Sequence, residues 1–305
     1  MNYFRPLYPF LLGIALIFSS KTFFNLALLN SLGQFVIFTL VVCIPIWRTG
    51  RMSYVDIGWP WGLVWLGVIN LFYSEGYWLR SFIVSGAIIL VGLRMGLAAL
   101  NMWRLGFLKK ELPRYQYQRI IWKKRGKTNT SLALQVDAIS QGLANASILA
   151  LPIFIIGSNN NQEFAILEIV GFMIWFLAFV MESIADYQKI YFLRKMKRAG
   201  NHLQVCNVGL WKYSRHPNYF SEWMVWNGLI IAAIPSWLAL QGSELWLLLG
   251  LSLLYASIAM YTALVYITGA VPSEYYSLKK RPDYKTYQKQ TNRFFPGPRK
   301  SGTVN

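Results

Sequence analysis

Gly209-Leu210-Trp211-Lys212-Tyr213-Ser214-Arg215-His216-Pro217-Asn218-Tyr219-Phe220-Ser221-Glu222 runs straight into an apolar segment that reaches residue 238. The string sets Arg, His, Asn, Tyr and Glu side chains at the mouth of a membrane helix, where polar groups are costly to bury and serve function by default. Pro217 fixes the backbone and is well tolerated in the first turn of a helix, so the span is predicted to start there. A helix start offers free N–H groups and the positive end of the dipole, and both favour a phosphate. Arg215 adds a planar guanidinium able to grip two phosphate oxygens at once. Glu222 follows Asn218 at i+4 on one helix face and can accept hydrogen bonds from a ribose or a carboxamide. The competing account is a capped helix with Arg215 and His216 at headgroup level and Glu222 complementing the dipole.

The rest of the chain agrees with a membrane setting. With 55% hydrophobic and only 14% charged residues, it cannot be folded behind an ordinary wet surface. The net charge of +18 does not mark a nucleic-acid groove, because the cations fall in short loops between apolar runs. The two cysteines, Cys43 and Cys206, have no CxxC spacing, which excludes a disulfide framework and a zinc site. Apolar runs long enough to cross a hydrocarbon core fall near 6–20, 31–47, 58–74, 78–101, 132–157, 163–185, 219–238 and 243–268. The predicted fold class is therefore all-α, a polytopic transmembrane helical bundle of about eight spans. The first run is short and follows Arg5, as in a signal peptide. No small-x-small pattern precedes Ser19-Ser20-Lys21, so it is expected to stay as an anchor.

Lys and Arg collect in every second loop. Residues 102–131, 186–218 and the tail after 268 are strongly basic, whereas the loops near 21–30, 75–77, 158–162 and 239–242 share one Lys. That alternation predicts both termini in the cytoplasm and places the cassette, the 102–131 loop and the tail on one membrane face. No linker or composition break divides residues 1–305, which read as a single integral-membrane domain.

There is no GxGxxG after a strand and no HExxH, so a soluble dinucleotide fold is not available. Gly126-Lys127-Thr128 imitates the end of a phosphate loop, but Ile121 stands where its first Gly is required. A cofactor must then be gripped by helices and their basic loops. Arg94, about seven residues inside an apolar run, should face a polar cavity or a phosphate, or pair with an acid such as Asp56 or Glu182.

The wording of the cassette resembles the steroid 5-alpha-reductase-like membrane reductases, above all a bacterial branch of mostly unassigned substrate. Asp186-Tyr187-Gln188-Lys189 precedes the cassette as in that family, and Pro272-Ser273-Glu274 follows it. The chain then closes with Tyr284-Lys285-Thr286-Tyr287 and Phe294-Phe295-Pro296, similar to the family's ending. Upstream, Leu93-Arg94, Arg104, Glu111-x-x-Arg114-Tyr115 and Ser53-Tyr54-Val55-Asp56-Ile57-Gly58-Trp59 are also similar. The likeness covers most of residues 50–296, and Leu112 departs from it where the family often has Asp.

The resemblance implies a helical bundle in a bacterial inner membrane. Its C-terminal half, 186–296, would hold NADPH from the cytoplasmic side, and its N-terminal half would shape a lipid-facing substrate pocket. Hydride would go to one carbon of a polarised C=C bond in a steroid, prenoid or acyl enone, and a proton to the other. Carried onto matching positions, Lys189, Arg215, His216, Asn218, Tyr219, Glu222, Tyr284 and Tyr287 are the cofactor residues, joined by Arg94 on physical grounds. Polarising an enone needs a group with a proton to share. Asp56 is the first choice, with Tyr54 and Tyr115 behind it, against an account of Asp56 as a first-turn helix acid.

Two rivals stand beside this reading. Isoprenylcysteine and phospholipid methyltransferases carry a similar Arg-His-Pro-x-Tyr string and use S-adenosylmethionine; the fuller wording with upstream Asp-x-Gln-Lys favours the reductases. A lipid-binding or transport protein would use the same polar cavity without chemistry. The expected partners are a lipid-like small molecule and membrane lipids, with no metal. Trp59, Trp61, Trp65 and Trp78 read as an interfacial belt, Gly92-x-x-x-Gly96 as a close-packing motif, and the Lys- and Tyr-rich tail as a surface for anionic headgroups.

Overall fold

Apolar runs rich in Leu, Ile, Val and Phe become helices because lipid leaves backbone N–H and C=O groups no partner except one another. The computed structural model describes residues 3–300, and among them there is no strand. Residues 1–2 and 301–305, where the expectation for the termini falls, lie outside the described residues.

The main helical segments are α1 (Tyr8–Ser19), α2 (Phe24–Thr49), α3 (Met52–Tyr73), α4 (Trp78–Arg104), α5 (Pro113–Lys124), α6 (Thr130–Gly157), α7 (Ile166–Arg198), α8 (Pro217–Leu238), α9 (Trp246–Lys280) and α10 (Tyr284–Gln290). Local signals set their ends. Gly50, at φ +68°, closes α2 with a bond from its N–H to the Ile46 carbonyl, and the Asn129 side chain accepts from Leu132 N at the start of α6. Pro217 is the first residue of α8, as the cassette predicts.

Six of these, α2, α3, α4, α6, α7 and α9, are long and apolar enough to cross a membrane, which makes the chain a multi-pass helical membrane protein. The other two expected spans form helices that fall short. α1 has only 12 residues, about 18 Å at 1.5 Å per residue. α8 has 22, but Asn218, Glu222 and Asn227 dilute its first half. Large apolar side chains point outward along the spans, among them Phe35, Leu40, Phe82 and Phe176. So much exposed apolar surface is stable only in lipid.

The chain divides into two compact units, Met1–Gly171 with Leu229–Ala256 and Phe172–Gly228 with Ser257–Asn305. In the first, α3 and α4 pack closely where Gly92 and Gly96 leave room. A Cβ on Gly92 would meet the Pro60 carbonyl at 2.6 Å, so the motif read as close packing is one. Fully buried amides tie α2, α3 and α6. Gln34 donates to Gly62 O at 2.8 Å and to Asn30 at 3.1 Å, and Asn145 donates to Trp59 O at 2.9 Å. In the second unit the cassette and α10 close on a buried carboxylate near the end of α9, and the end of α7 packs on the cassette.

Two segments are π-helical, Phe38–Cys43 within α2 and Ala263–Ile267 within α9. Such widened turns recur at functional sites. Each contributes to the wall of a cavity in its own unit.

Candidate functional site

In the second unit the centre is Glu274. Arg215 donates from Nε to Glu274 Oε1 at 2.6 Å, and one of its terminal nitrogens donates to the carbonyls of Gln288, at 2.9 Å, and Thr291. Glu274 also accepts from Gln288 at 2.9 Å, lies 3.3 Å from His216 Nε2 and pairs with Arg293 at 3.3 Å. Arg215, His216 and Glu274 are all buried. Burial drives the His216 imidazole below its ordinary pKa, against the pull of Glu274, so the ring is held neutral.

Further bonds lock the cassette to the end of the chain. The Arg215 N–H donates to Asn292 O at 2.9 Å, Ser214 Oγ to Phe294 O at 2.8 Å and the Tyr287 hydroxyl to Trp211 O at 2.5 Å. Tyr284 and Tyr287 are buried, and burial pushes both phenols upward in pKa. Gly209 sits at φ +53° against Gln188, whose side chain accepts from Leu210 N at 2.9 Å. Thus four of the residues expected to grip a cofactor, Arg215, His216, Tyr284 and Tyr287, are engaged with the protein itself.

The other four in this unit are partly exposed. Lys189 lies with its ammonium 4.1 Å from the centre of the Trp211 ring. Asn218 donates to Asp186 at 3.0 Å. Tyr219 stacks on His216 with ring centres 5.4 Å apart, and Glu222 is half-buried in the first turns of α8. A cavity of about 450 Å³ lies in the same unit, walled by Tyr261, Tyr266, Asn292, Arg293, Phe294 and Phe295 among others.

In the first unit, Asp56 occupies the first turn of the α3 helix proper, Val55–Tyr73. One of its oxygens pairs with Arg114, and the other accepts from the Tyr115 hydroxyl at 2.5 Å. The proton in this cluster therefore sits on Tyr115, whose pKa is raised by burial and then by Asp56. Asp56, the first choice for proton donor, instead ties α5 down. Glu111 does the same nearby, accepting from Met52 N, Ser53 N and Ser53 Oγ and pairing with Arg119 at 2.9 Å.

Tyr54 stands differently. Its hydroxyl oxygen accepts from Arg51 at 3.1 Å, and its ring lines an apolar cavity of about 560 Å³ with Ile57, Trp61, Val64, Trp65 and Trp103. Trp61 and Trp65, read from sequence as belt residues, are cavity wall, whereas Trp78 is 68% exposed as a belt residue should be. Arg94 is a partly buried cation of α4. On the far side of the unit Arg80 pairs with Glu168 at 2.6 Å in full burial, and it also donates to the carbonyls of Asn159, Asn161 and Glu163.

Sequence reasoning missed Glu274 and Glu111 as organisers. The signal was present in the scarcity of acids, 12 against 30 Lys and Arg, which gives each buried carboxylate several suitors.

Fold and site together define a multi-pass helical membrane protein with an apolar cavity in one unit and a buried, carboxylate-centred cassette in the other. The chain belongs to the family described as Protein of unknown function (DUF1295), whose model matches residues 23–291. It is also similar to an uncharacterized protein of Schizosaccharomyces pombe, 23% identical over 283 residues, covering 86% of this chain and 77% of that protein. No solved structure matches.

Proposed function

We propose that the protein is a membrane-embedded, NADPH-dependent reductase of a polarised C=C bond in a lipid-like substrate, a steroid, prenoid or acyl enone. It would work in a bacterial inner membrane with its cofactor on the cytoplasmic face. The observation that carries this reading is the apolar cavity with a single phenol, Tyr54, on its wall. At about 560 Å³ it falls in the range of small-molecule sites. Because Arg51 donates to the Tyr54 oxygen, the phenol's own proton is left to be given away. The guanidinium then stabilises the phenolate that remains. Tyr54 thus moves ahead of Asp56 and Tyr115 as proton donor, since the Tyr115 proton is already spent on Asp56.

NADPH supplies a hydride when bound. The donor set of the second unit suits its chemistry, with Lys189 and Arg293 as cations for phosphate, and Asn218, Tyr219 and Glu222 as polar groups for ribose or carboxamide. Arg215, His216, Tyr284 and Tyr287 act behind them by fixing the cassette, and Arg94 is a further cation for an anionic group. The fuller cassette wording supports a nicotinamide over S-adenosylmethionine.

The test is thermal unfolding of the purified protein in detergent with each nucleotide, since a ligand that binds only the folded state raises its stability. NADPH raises the midpoint and S-adenosylmethionine does not. The opposite result would assign a methyltransferase, and no shift with either, lipid being retained, would leave a lipid-binding protein.

A further inference from the structure

Between α4 and α6 the chain forms a strap, residues 104–127, across one end of the first unit. Its inner side is tied down by the Arg114–Asp56 pair, by Leu108, Tyr115 and Trp122 in the core, and by the bond from Leu112 N to Ser53 Oγ at 3.1 Å. Its one carboxylate, Glu111, faces inward onto Arg119 and the 52–53 backbone. The outer side carries Arg104, Lys109, Lys110, Lys123, Lys124 and Arg125, all exposed. Among the described residues none of these six has an ion-pair partner. Beside them Trp103, Leu105 and Phe107 are each more than half exposed. Like charges gathered without an acid repel one another, and large apolar side chains in water are unfavourable. One environment relieves both.

We propose that the outer face of the strap docks on anionic phospholipid headgroups of the leaflet in which the spans sit, the six cations on phosphate and Trp103, Leu105 and Phe107 at the acyl boundary. A nucleic acid would satisfy the cations and leave the apolar trio exposed. Docking also bears on the cavity, because Arg51 bridges the strap to Tyr54, donating to Lys109 O at 2.5 Å and to the Tyr54 hydroxyl at 3.1 Å. The surface stands whether or not Tyr54 donates a proton.

The test is hydrogen exchange of full-length protein in nanodiscs of phosphatidylcholine alone or with added phosphatidylglycerol. Peptides covering 104–127 exchange several-fold more slowly with phosphatidylglycerol. A Lys123→Gln, Lys124→Gln, Arg125→Gln variant loses this protection, since three charges near an anionic surface are worth roughly a hundredfold in affinity. Unchanged exchange in 78–101 shows that the variant is folded. Equal exchange in both nanodiscs, or protection kept by the variant, overturns the proposal. So does protection by inorganic phosphate in phosphatidylcholine discs, which would mark a site for a soluble anion.

Discussion

Replacing Arg215 with Ala separates two roles that the sequence alone cannot tell apart. As a ligand residue, Arg215 would cost cofactor affinity and little stability when lost. In the structure its Nε–H is bonded to the buried Glu274 carboxylate at 2.6 Å and its terminal nitrogen to two backbone carbonyls. Breaking a buried ion pair by removing one partner costs about 3–5 kcal/mol, because the other charge stays buried. Gln288, His216 and Arg293 still face Glu274, which puts the expectation near the low end, about 3 kcal/mol, or roughly a hundredfold in the folded-to-unfolded ratio. The assay is reversible unfolding in mixed micelles titrated with dodecyl sulfate, followed by circular dichroism. Adding Glu274→Gln in the Arg215→Ala background removes the stranded charge and should return part of the loss, a coupling of about 1–3 kcal/mol. A folded Arg215→Ala protein within about 0.5 kcal/mol of wild type, but with its NADPH titration abolished, would falsify the scaffold reading and make Arg215 a direct ligand.

Gly209→Ala forces a side chain into the left-handed region at φ +53° and sets its Cβ 2.4 Å from the Gln188 amide. It should cost at least about 1–2 kcal/mol in the same titration. The neutral, buried His216 predicts acid sensitivity: the unfolded chain takes up a proton near pH 6.5 and the folded one only below that. Its contribution is thus complete above that pH and lost as pH falls further, and His216→Gln should flatten the stability profile on the acid side of about pH 6.5. Arg80→Ala strands Glu168 in full burial, and a loss of about 3–5 kcal/mol is expected, read as a lowered dodecyl sulfate midpoint. Tyr54→Phe should leave NADPH binding unchanged and slow single turnover of an accepted enone by about 10²–10⁴-fold. Unchanged turnover would return the search to Tyr115.

What was legible in the sequence is what depends on neighbours along the chain. Apolar length predicted helices over 31–47, 58–74, 78–101, 132–157, 163–185 and 243–268, and each overlaps, over all but at most three residues, a segment long and apolar enough to span. Pro217 marked the start of α8 because proline acts through its own backbone. The runs at 6–20 and 219–238, also expected to span, form helices that fall short, one by its length and the other by its own polar residues. Partners distant in sequence were not legible. Arg215 and Glu274 are 59 positions apart, and Asp56 and Tyr115 also 59, so no local pattern joins them. Nor could residue type separate Trp61 in a cavity wall from Trp78 at the exposed boundary, since an indole suits both places.

The shortage of acids turns charge into a guide to function by subtraction. Glu274 engages Arg215 and Arg293, Glu111 engages Arg119, Asp56 engages Arg114, and Glu168 engages Arg80. Each of these acids is largely withdrawn from solvent, where an unpaired carboxylate would be costly, so the pairs serve first to satisfy one another. Arginines used in this way fix backbone and helix ends, and their presence in a motif says little about a ligand. The informative cations are those left over: Lys189 on its Trp211 ring and the outer row of the strap. On the two proposed readings that charge meets phosphate, of a nucleotide at Lys189 and of lipid at the strap. The two proposals fail separately, the first in a nucleotide titration and the second in a change of lipid.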